Sequence, residues 1–293
     1  MISLEVGGLV IKLDMPDMFI GKYMPRFFCD ESRKADVSVV VEYGKMPEIP
    51  AGAVKETCVT AHTVYRHGSY CHYFKSTSAG IFDKVHIRYD RSCTEFSVIL
   101  DENADPDRLD ESKRENLLED VFSVLRRIFI MILASRGGVC MHSSSIRYNS
   151  GAVIFSAFSG TGKTTHTNLW REVFPDVEII NGDNGYCLAE DDGIYIYGAP
   201  WCGTSGECMN VKVPVKAVVF LEQAKENSIQ KLSVPMAFMR LSTGCFLPAW
   251  DKELMTSAIV TTERMAASVD CYVLKCLPDH DAVRTAHYGI YGK

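Results

Sequence analysis

Residues Ala157 to Thr165 read AFSGTGKTT, a glycine-rich turn that delivers a lysine and then a hydroxyl in consecutive positions. That order is the one a phosphate-binding loop of the Walker A type requires. Gly160 and Gly162 let the backbone turn so that successive N–H groups point into one concavity. A helix opening near Lys163 would add the positive end of its dipole to the same anion site. On this reading Ser159, Gly160, Thr161, Gly162, Lys163, Thr164 and Thr165 cradle the phosphates of a nucleotide, ATP, with Lys163 at the β/γ-phosphates and Thr164 on Mg2+. Ala157 stands where the motif opens with glycine, and the plainer alternative is a glycine turn between strand and helix.

Phosphoryl transfer asks a protein for a cradle, a metal and a group that orients and deprotonates the acceptor. Asp183, in IINGDNG, follows a β-like run and a glycine, which would place a carboxylate at a strand end for base or metal work. A turn aspartate is the alternative. His142, in VCMHSSSI, lies on the strand before the loop strand, and hairpin pairing would bring it to the triphosphate site; a satisfied core histidine is the alternative. The segment Gly198 to Glu207, GAPWCGTSGE, reads either as a mobile loop that covers the acceptor and aligns the metal through Glu207, or as a structural turn around a packed Trp201. His166, Arg240 and Arg264 could touch nucleotide or acceptor, but each reads first as a helix-surface or packing residue.

The elements that must hold these residues fall into two stretches. From residue 1 to 105 the chain shows β-like runs at Leu4 to Leu13, Val37 to Tyr43, Thr57 to Tyr65, Val85 to Tyr89 and Phe96 to Leu100, a β-rich N-terminal domain suited to acceptor recognition. Acidic DENADPDRLD, Asp101 to Asp110, is a linker candidate. The spacing of Leu117, Leu118, Val121, Phe122, Leu125, Ile128, Phe129 and Ile132 predicts a helix over 111–136, assigned with its apolar face to a kinase-like domain spanning 111–293. Strands are expected at Gly138 to Arg147 and Gly151 to Phe155 around an Asn149-Ser150-Gly151 turn, so the glycine loop hangs from a hairpin rather than a plain βαβ unit. Further strands follow at Val177 to Ile180, Tyr186 to Ala189, Ile194 to Tyr197 and Val215 to Leu221, with Asp191-Asp192-Gly193 as a tight turn. Helices follow at Asp251 to Ser268 and Asp279 to His287, the latter opening on a capping aspartate. The fold class is α/β of the α+β kind, with a mixed, largely antiparallel core.

Composition narrows the function classes. A chain of 293 residues with 47% hydrophobic content can bury a sizeable core. A net charge of −6, with pI near 5.8 and dispersed cations, argues against nucleic acid as a partner. The first fifteen residues lack a basic leader and read as an amphipathic strand, and Ile128 to Ala134, the longest apolar stretch, is too short to span a membrane. Eleven cysteines without a C-x-x-C pair point to reduced thiols and a cytoplasmic setting. Oligomeric state is open, a homo-oligomer included.

Taken together, SGTGKTT, the histidine strand within LASRGGVCMHSSSI and the GDN segment resemble the HPr kinase/phosphorylase and phosphoenolpyruvate carboxykinase superfamily over roughly residues 130 to 222. The resemblance implies a phosphate loop on a mostly antiparallel or mixed β core. It puts the phosphate lysine at Lys163, the magnesium hydroxyl at Thr164, the active-site histidine at His142 and an acidic pair at Asp183 and Asn184. The second position of that pair departs from the superfamily, which leaves Asp183 with two tasks or moves one to Glu207. The expected activity is ATP-dependent transfer of a phosphoryl group to a hydroxyl of a protein, peptide or small molecule, with Asp183 as base. The alternatives are a carboxykinase-like enzyme, for which the chain is short, and a nucleotide-binding regulatory protein without catalysis.

Overall fold

Gly7 and Gly8 both adopt positive φ, +63° and +74°, and fold the apolar run Leu4 to Leu13 back on itself. The result is a tight hairpin of β1 (Ile2–Val6) and β2 (Leu9–Asp14) rather than the single strand expected from hydrophobicity. The computed structural model describes residues 1–59, 61–76 and 80–292. Next come β3 (Val37–Tyr43), β4 (Val54–Val59), β5 (His62–His67), β6 (Tyr70–Ser76), β7 (Lys84–Asp90) and β8 (Glu95–Leu100). They form an eight-stranded sheet in the order β1-β2-β3-β8-β7-β6-β5-β4. The two pairings of β3 are parallel and the remainder antiparallel. The expected strand at Thr57 to Tyr65 is divided between β4 and β5, and its residue 60 lies outside the described residues. In β3 the residues Val37, Val39 and Val41 are buried and Ser38 and Val40 exposed, the alternation of a strand with one face on a core.

Helix α1 (Glu111–Ser135) buries Leu117, Val121, Val124, Leu125, Ile128 and Ile132 at helical spacing. The chain divides into two compact units, Met1–Ser135 with Pro248–Thr256, and Arg136–Leu247 with Ser257–Lys293. Helix α1 therefore belongs with the N-terminal sheet, not with the domain over 111–293 to which its apolar stripe had assigned it. A stripe shows that a helix needs a partner without saying which one.

The second unit opens with β9 (Gly138–Tyr148) and β10 (Gly151–Ser156). They are joined through Asn149 and Ser150 at φ of 48° and 60°, the left-handed pair that a two-residue hairpin turn demands. Then follow α2 (Lys163–Val173), β11 (Glu178–Asn181), β12 (Asn184–Glu190), β13 (Gly193–Tyr197), β14 (Lys212–Gln223), β15 (Ser228–Lys231), α3 (Val234–Gly244), α4 (Lys252–Ser268), β16 (Asp270–Cys276) and α5 (His280–Tyr291). Helix α4 runs across the boundary between the units. Asp279 caps α5 as its sequence suggested, its carboxylate accepting from the Ala282 N–H at 2.8 Å.

The second sheet is also eight-stranded and mixed. β10 pairs antiparallel with β9 on one edge and parallel with β14 on the other, while β9 and β14 also connect through β12 and β13. β16 lies parallel to β14, and β15 closes the edge. Val153, Phe155, Trp170, Val219, Leu274 and Val283 belong to the core that seats α2 and α5 on this sheet. Trp170 is fully buried, and its truncation to alanine would cost about 3–5 kcal/mol. The molecule is thus α+β, with two mixed sheets of mostly antiparallel strands and five α-helices among the described residues. Among those residues no helix is long and apolar enough to cross a membrane, and ten cysteines are free thiols.

Candidate active site

The Asn149-Ser150 turn sets the register Phe155↔Ser144 and Ser156↔Ser143, so β10 ends beside His142. The chain then leaves β10, turns through Phe158–Gly162 and enters α2 at Lys163. Gly160 and Gly162 have φ of +79° and +114°, conformations open to glycine and strained for any other residue. A Cβ at either would meet nothing within 4 Å, so dihedral freedom and not crowding is what glycine supplies here. The Thr161 N–H donates to the Phe158 carbonyl at 3.2 Å, and no side chain caps α2. The first-turn N–H groups of α2 thus stand at a helix end whose dipole favours an anion. Ser159, Gly160, Thr164 and Thr165 are exposed around this turn, while Thr161 and Gly162 are half-buried.

Lys163 turns inward and is only 8% exposed. Its Nζ lies 3.2 Å from His142 Nε2 and 3.4 Å from the Ala157 carbonyl. Burial pulls the Lys163 pKa below the ordinary lysine value, with the charge of Asp183 opposing the shift. Asp183 Oδ1 lies 3.5 Å from the same His142 Nε2, a separation longer than a hydrogen bond and an ion pair only when the ring is protonated. One ring nitrogen therefore stands between an ammonium and a carboxylate. Since ammonium can only donate, the Nε2 lone pair serves Lys163 in this state.

Asp183 is fixed by its neighbours. The register Asn184↔His142 aligns β12 with β9, and the Ser143 N–H donates to the Asp183 carbonyl at 3.0 Å. Asn181 Oδ1 accepts from the Asp183 and Asn184 N–H groups at 3.0 and 2.8 Å, an Asx-type turn. Asn184 is fully buried, and its amide donates to Asp183 Oδ2 at 2.7 Å and to the Trp201 carbonyl at 3.0 Å. An aspartate at 184 would lose both donations and set two carboxylates side by side. Asn184 is thus a built-in support for Asp183. A Cβ on Gly203, at φ +62°, would come within 2.8 Å of the Asp183 Cβ.

The first half of the 198–207 segment is packed: Ala199, Trp201 and Cys202 are buried, and Asn181 Nδ2 donates to the Ala199 carbonyl at 2.9 Å. Gly203 and Thr204 are exposed, and Ser205 to Glu207 half-buried. Glu207 is ion-paired with Arg171 of α2 at 2.7 Å. His166 is a core group: its Nε2 accepts from the Trp170 indole at 3.1 Å, and burial lowers its pKa to about 4. Arg240 pairs with Glu222 at 2.5 Å, and Arg264 donates to the Glu190 carbonyl. Among the described residues no three His, Cys, Asp or Glu side chains converge to hold a metal. A divalent ion here would draw ligands from a hydroxyl, one carboxylate and the oxygens of its ligand, as magnesium commonly does.

Two cavities flank the glycine turn. One, of about 380 Å³, is lined by His142, Phe158, Glu222, Arg240 and Phe246 among others. The second, of about 450 Å³, is lined by Thr161, Thr165, Gln223, Ala224, Cys276 and Pro278 among others. Leu221 borders both, and the consecutive β14 residues Glu222 and Gln223 face different cavities, as strand alternation dictates. The structure brings together Lys163, His142 and Asp183, three residues named from the sequence, and adds Asn181, whose Asn-Gly-Asp-Asn context is a readable turn signal. It also adds the second cavity, missed by sequence reading, whose walls come from strand ends far apart in sequence.

No protein-family model and no curated protein matches this chain. Among solved structures, the HPr(Ser) kinase/phosphatase from Coxiella burnetii is a neighbour at 10% sequence identity and a TM-score of 0.29, covering 52% of this chain and 93% of that one. Likeness at that level bears no weight on fold or activity, so the functional reading rests on the site itself.

Proposed function

We propose that the second unit is an ATP-dependent phosphotransferase that delivers a γ-phosphoryl group to a hydroxyl, in the manner of HPr kinases. The observation that carries this reading is the line of three groups at the end of β10: Lys163 Nζ, His142 Nε2 and Asp183 Oδ1, separated by 3.2 and 3.5 Å beside a turn with two left-handed glycines. A buried ammonium held by a neutral imidazole is weakly compensated, and an arriving phosphate would compensate it better. Lys163 would then exchange His142 for phosphate oxygens. Asp183, held through Oδ2 by Asn184, would accept the proton of the acceptor hydroxyl as the new P–O bond forms and the bond to the leaving ADP oxygen breaks. Mg2+, held by Thr164 and Asp183 together with phosphate oxygens, would neutralise charge on the transferring group.

Incubation with γ-labelled ATP and Mg2+ tests this reading, comparing wild type with Lys163→Ala and Asp183→Ala. Lys163→Ala should weaken ATP binding, whereas Asp183→Ala should leave binding and remove turnover. A wild-type chain that does not bind ATP sinks the proposal. A second reading, nucleotide binding without catalysis, draws on the engagement of Glu207 with Arg171, which leaves Asp183 as the carboxylate at the Lys163–His142 pair. ATP bound and never turned over would favour it.

A further inference from the structure

Resting on the phosphate reading of the glycine turn, we infer that the cavity between the start of α2 and the ends of β14 and β16 is the nucleoside subsite. The reacting phosphorus must face Asp183 and His142, and His142 opens into the cavity of Phe158, Arg240 and Phe246. A triphosphate laid along the turn with its terminal group there must run its other end past Gly162 and Thr165. Those residues open into the cavity of Leu221, Gln223, Ala224, Cys276, Leu277 and Pro278. At about 450 Å³ it is of the size that holds a small organic ligand.

The chemistry of the walls states which part of the nucleotide belongs there. Leu221, Ala224, Cys276, Leu277 and Pro278 offer apolar surface to a flat ring. Two backbone donors of these walls are already used: the Ala224 N–H donates to the Cys276 carbonyl at 3.1 Å and the Leu277 N–H to Asn227 Oδ1 at 2.8 Å. The Gln223 amide is engaged with the Thr161 carbonyl at 3.3 Å. Such a pocket holds a purine by contact rather than by hydrogen-bond readout, so it takes ATP and GTP alike. Sites that do discriminate leave polar groups unpaired with the wrong ligand.

Cys276 is a built-in probe, because it lines the cavity and is half-buried, while Cys29 in the other unit serves as internal control. The full chain with Mg2+ is treated with iodoacetamide, and each thiol is followed by peptide mass spectrometry in ATP, GTP or inorganic tripolyphosphate. Binding of each ligand is first measured by calorimetry. At ligand about ten times its Kd, roughly a tenth of the sites stay open, so ATP and GTP should slow Cys276 alkylation about tenfold while tripolyphosphate leaves it unchanged. Ala224→Phe, which fills the cavity, should weaken ATP by tenfold or more and spare tripolyphosphate. ATP that binds without protecting Cys276, or protection by tripolyphosphate equal to that by ATP, overturns the subsite while leaving the phosphate reading standing. Failure of both ligands to bind overturns the phosphate reading and this inference with it.

Discussion

The two units are built from the same material, an eight-stranded mixed sheet with helices, and they differ in which polar groups they bury. In the first unit the buried polar side chains include His72 and His86, stacked with ring centroids 5.4 Å apart and joined by a 3.2 Å contact between ring nitrogens. They lie on the neighbouring strands β6 and β7, and His86 Nδ1 is buried without a hydrogen-bond partner among the described residues. In the second unit the buried polar groups run through consecutive elements: Ser143 to Ser145 on β9, Ser156 on β10, Lys163 on α2, then Asn181 and Asn184. Ser145 Oγ donates to the Asn181 carbonyl and Ser156 Oγ to the His142 carbonyl, each reaching a neighbouring strand. Burying a polar group is costly unless it is satisfied, so buried polar groups on successive elements beside an exposed glycine turn point to a place where geometry matters.

The sharpest break of this comparison is in activity. Asp183→Asn keeps the shape of the network and removes its carboxylate, and kcat should fall roughly 10²–10⁴-fold with ATP binding little changed. His86→Leu in the first unit should leave kcat and the ATP Kd as they are. Single-turnover transfer from γ-labelled ATP measures both. A large kcat loss from His86→Leu would mean that the first unit takes part in the chemistry.

Next in size is the support beneath Asp183. Asn184→Asp replaces two donated hydrogen bonds with a second buried carboxylate, and should cost about 3 kcal/mol of unfolding free energy near neutral pH. The penalty should shrink on acidification, because protonation relieves the like-charge contact and restores a donor. Urea unfolding at two pH values reads this out. A penalty that is independent of pH would show that the Asp183–Asn184 contact is not what position 184 protects.

How much of this was visible in the sequence follows from the range of the forces involved. The β9–β10 hairpin, α1 and α5 came from local signals: Asn-Ser-Gly at a turn, a long 3.6-residue stripe, and a capping aspartate, Asp279; α4 was expected over nearly its observed span. The glycine turn and its lysine were equally local. The Gly7-Gly8 reversal was overlooked because apolar residues on both sides suggested one strand. β6 was missed because His72 and Lys75 interrupt its apolar run. β15, β16 and α3 were missed as well, and with β16 went the wall of the second cavity. The meeting of Asp183 with His142 was expected only in outline, since it depends on the pairing of β12 with β9, a contact across forty residues that no local pattern encodes.

Histidine titration sharpens the contrast at a similar scale. Burial lowers the His86 pKa from 6.5 to about 4, with His72 adding to the shift. Between those values the unfolded chain binds a proton that the folded unit does not. Unfolding free energy therefore rises with pH across this window: the contribution is complete above pH 6.5 and is lost as pH falls towards 4. The size is about 3 kcal/mol. His86→Leu should flatten that slope in the first unit, followed by Trp250 fluorescence in a Trp170→Phe/Trp201→Phe background. An unchanged slope would place the acid sensitivity elsewhere.

The smallest effect expected is at Phe158, and it separates packing from recognition. This side chain is 82% exposed at the mouth of the cavity that also holds His142, Arg240 and Phe246. With so little buried area, Phe158→Ala should change stability by no more than about 0.5 kcal/mol. If the ring covers an acceptor, its loss should raise the acceptor KM several-fold while the KM for ATP stays constant, because the nucleoside is assigned to the other cavity. Steady-state kinetics with each substrate varied in turn tells the two apart. A rise in the ATP KM alone would exchange the assignments of the two cavities, leaving the Lys163–His142–Asp183 line between them unaltered.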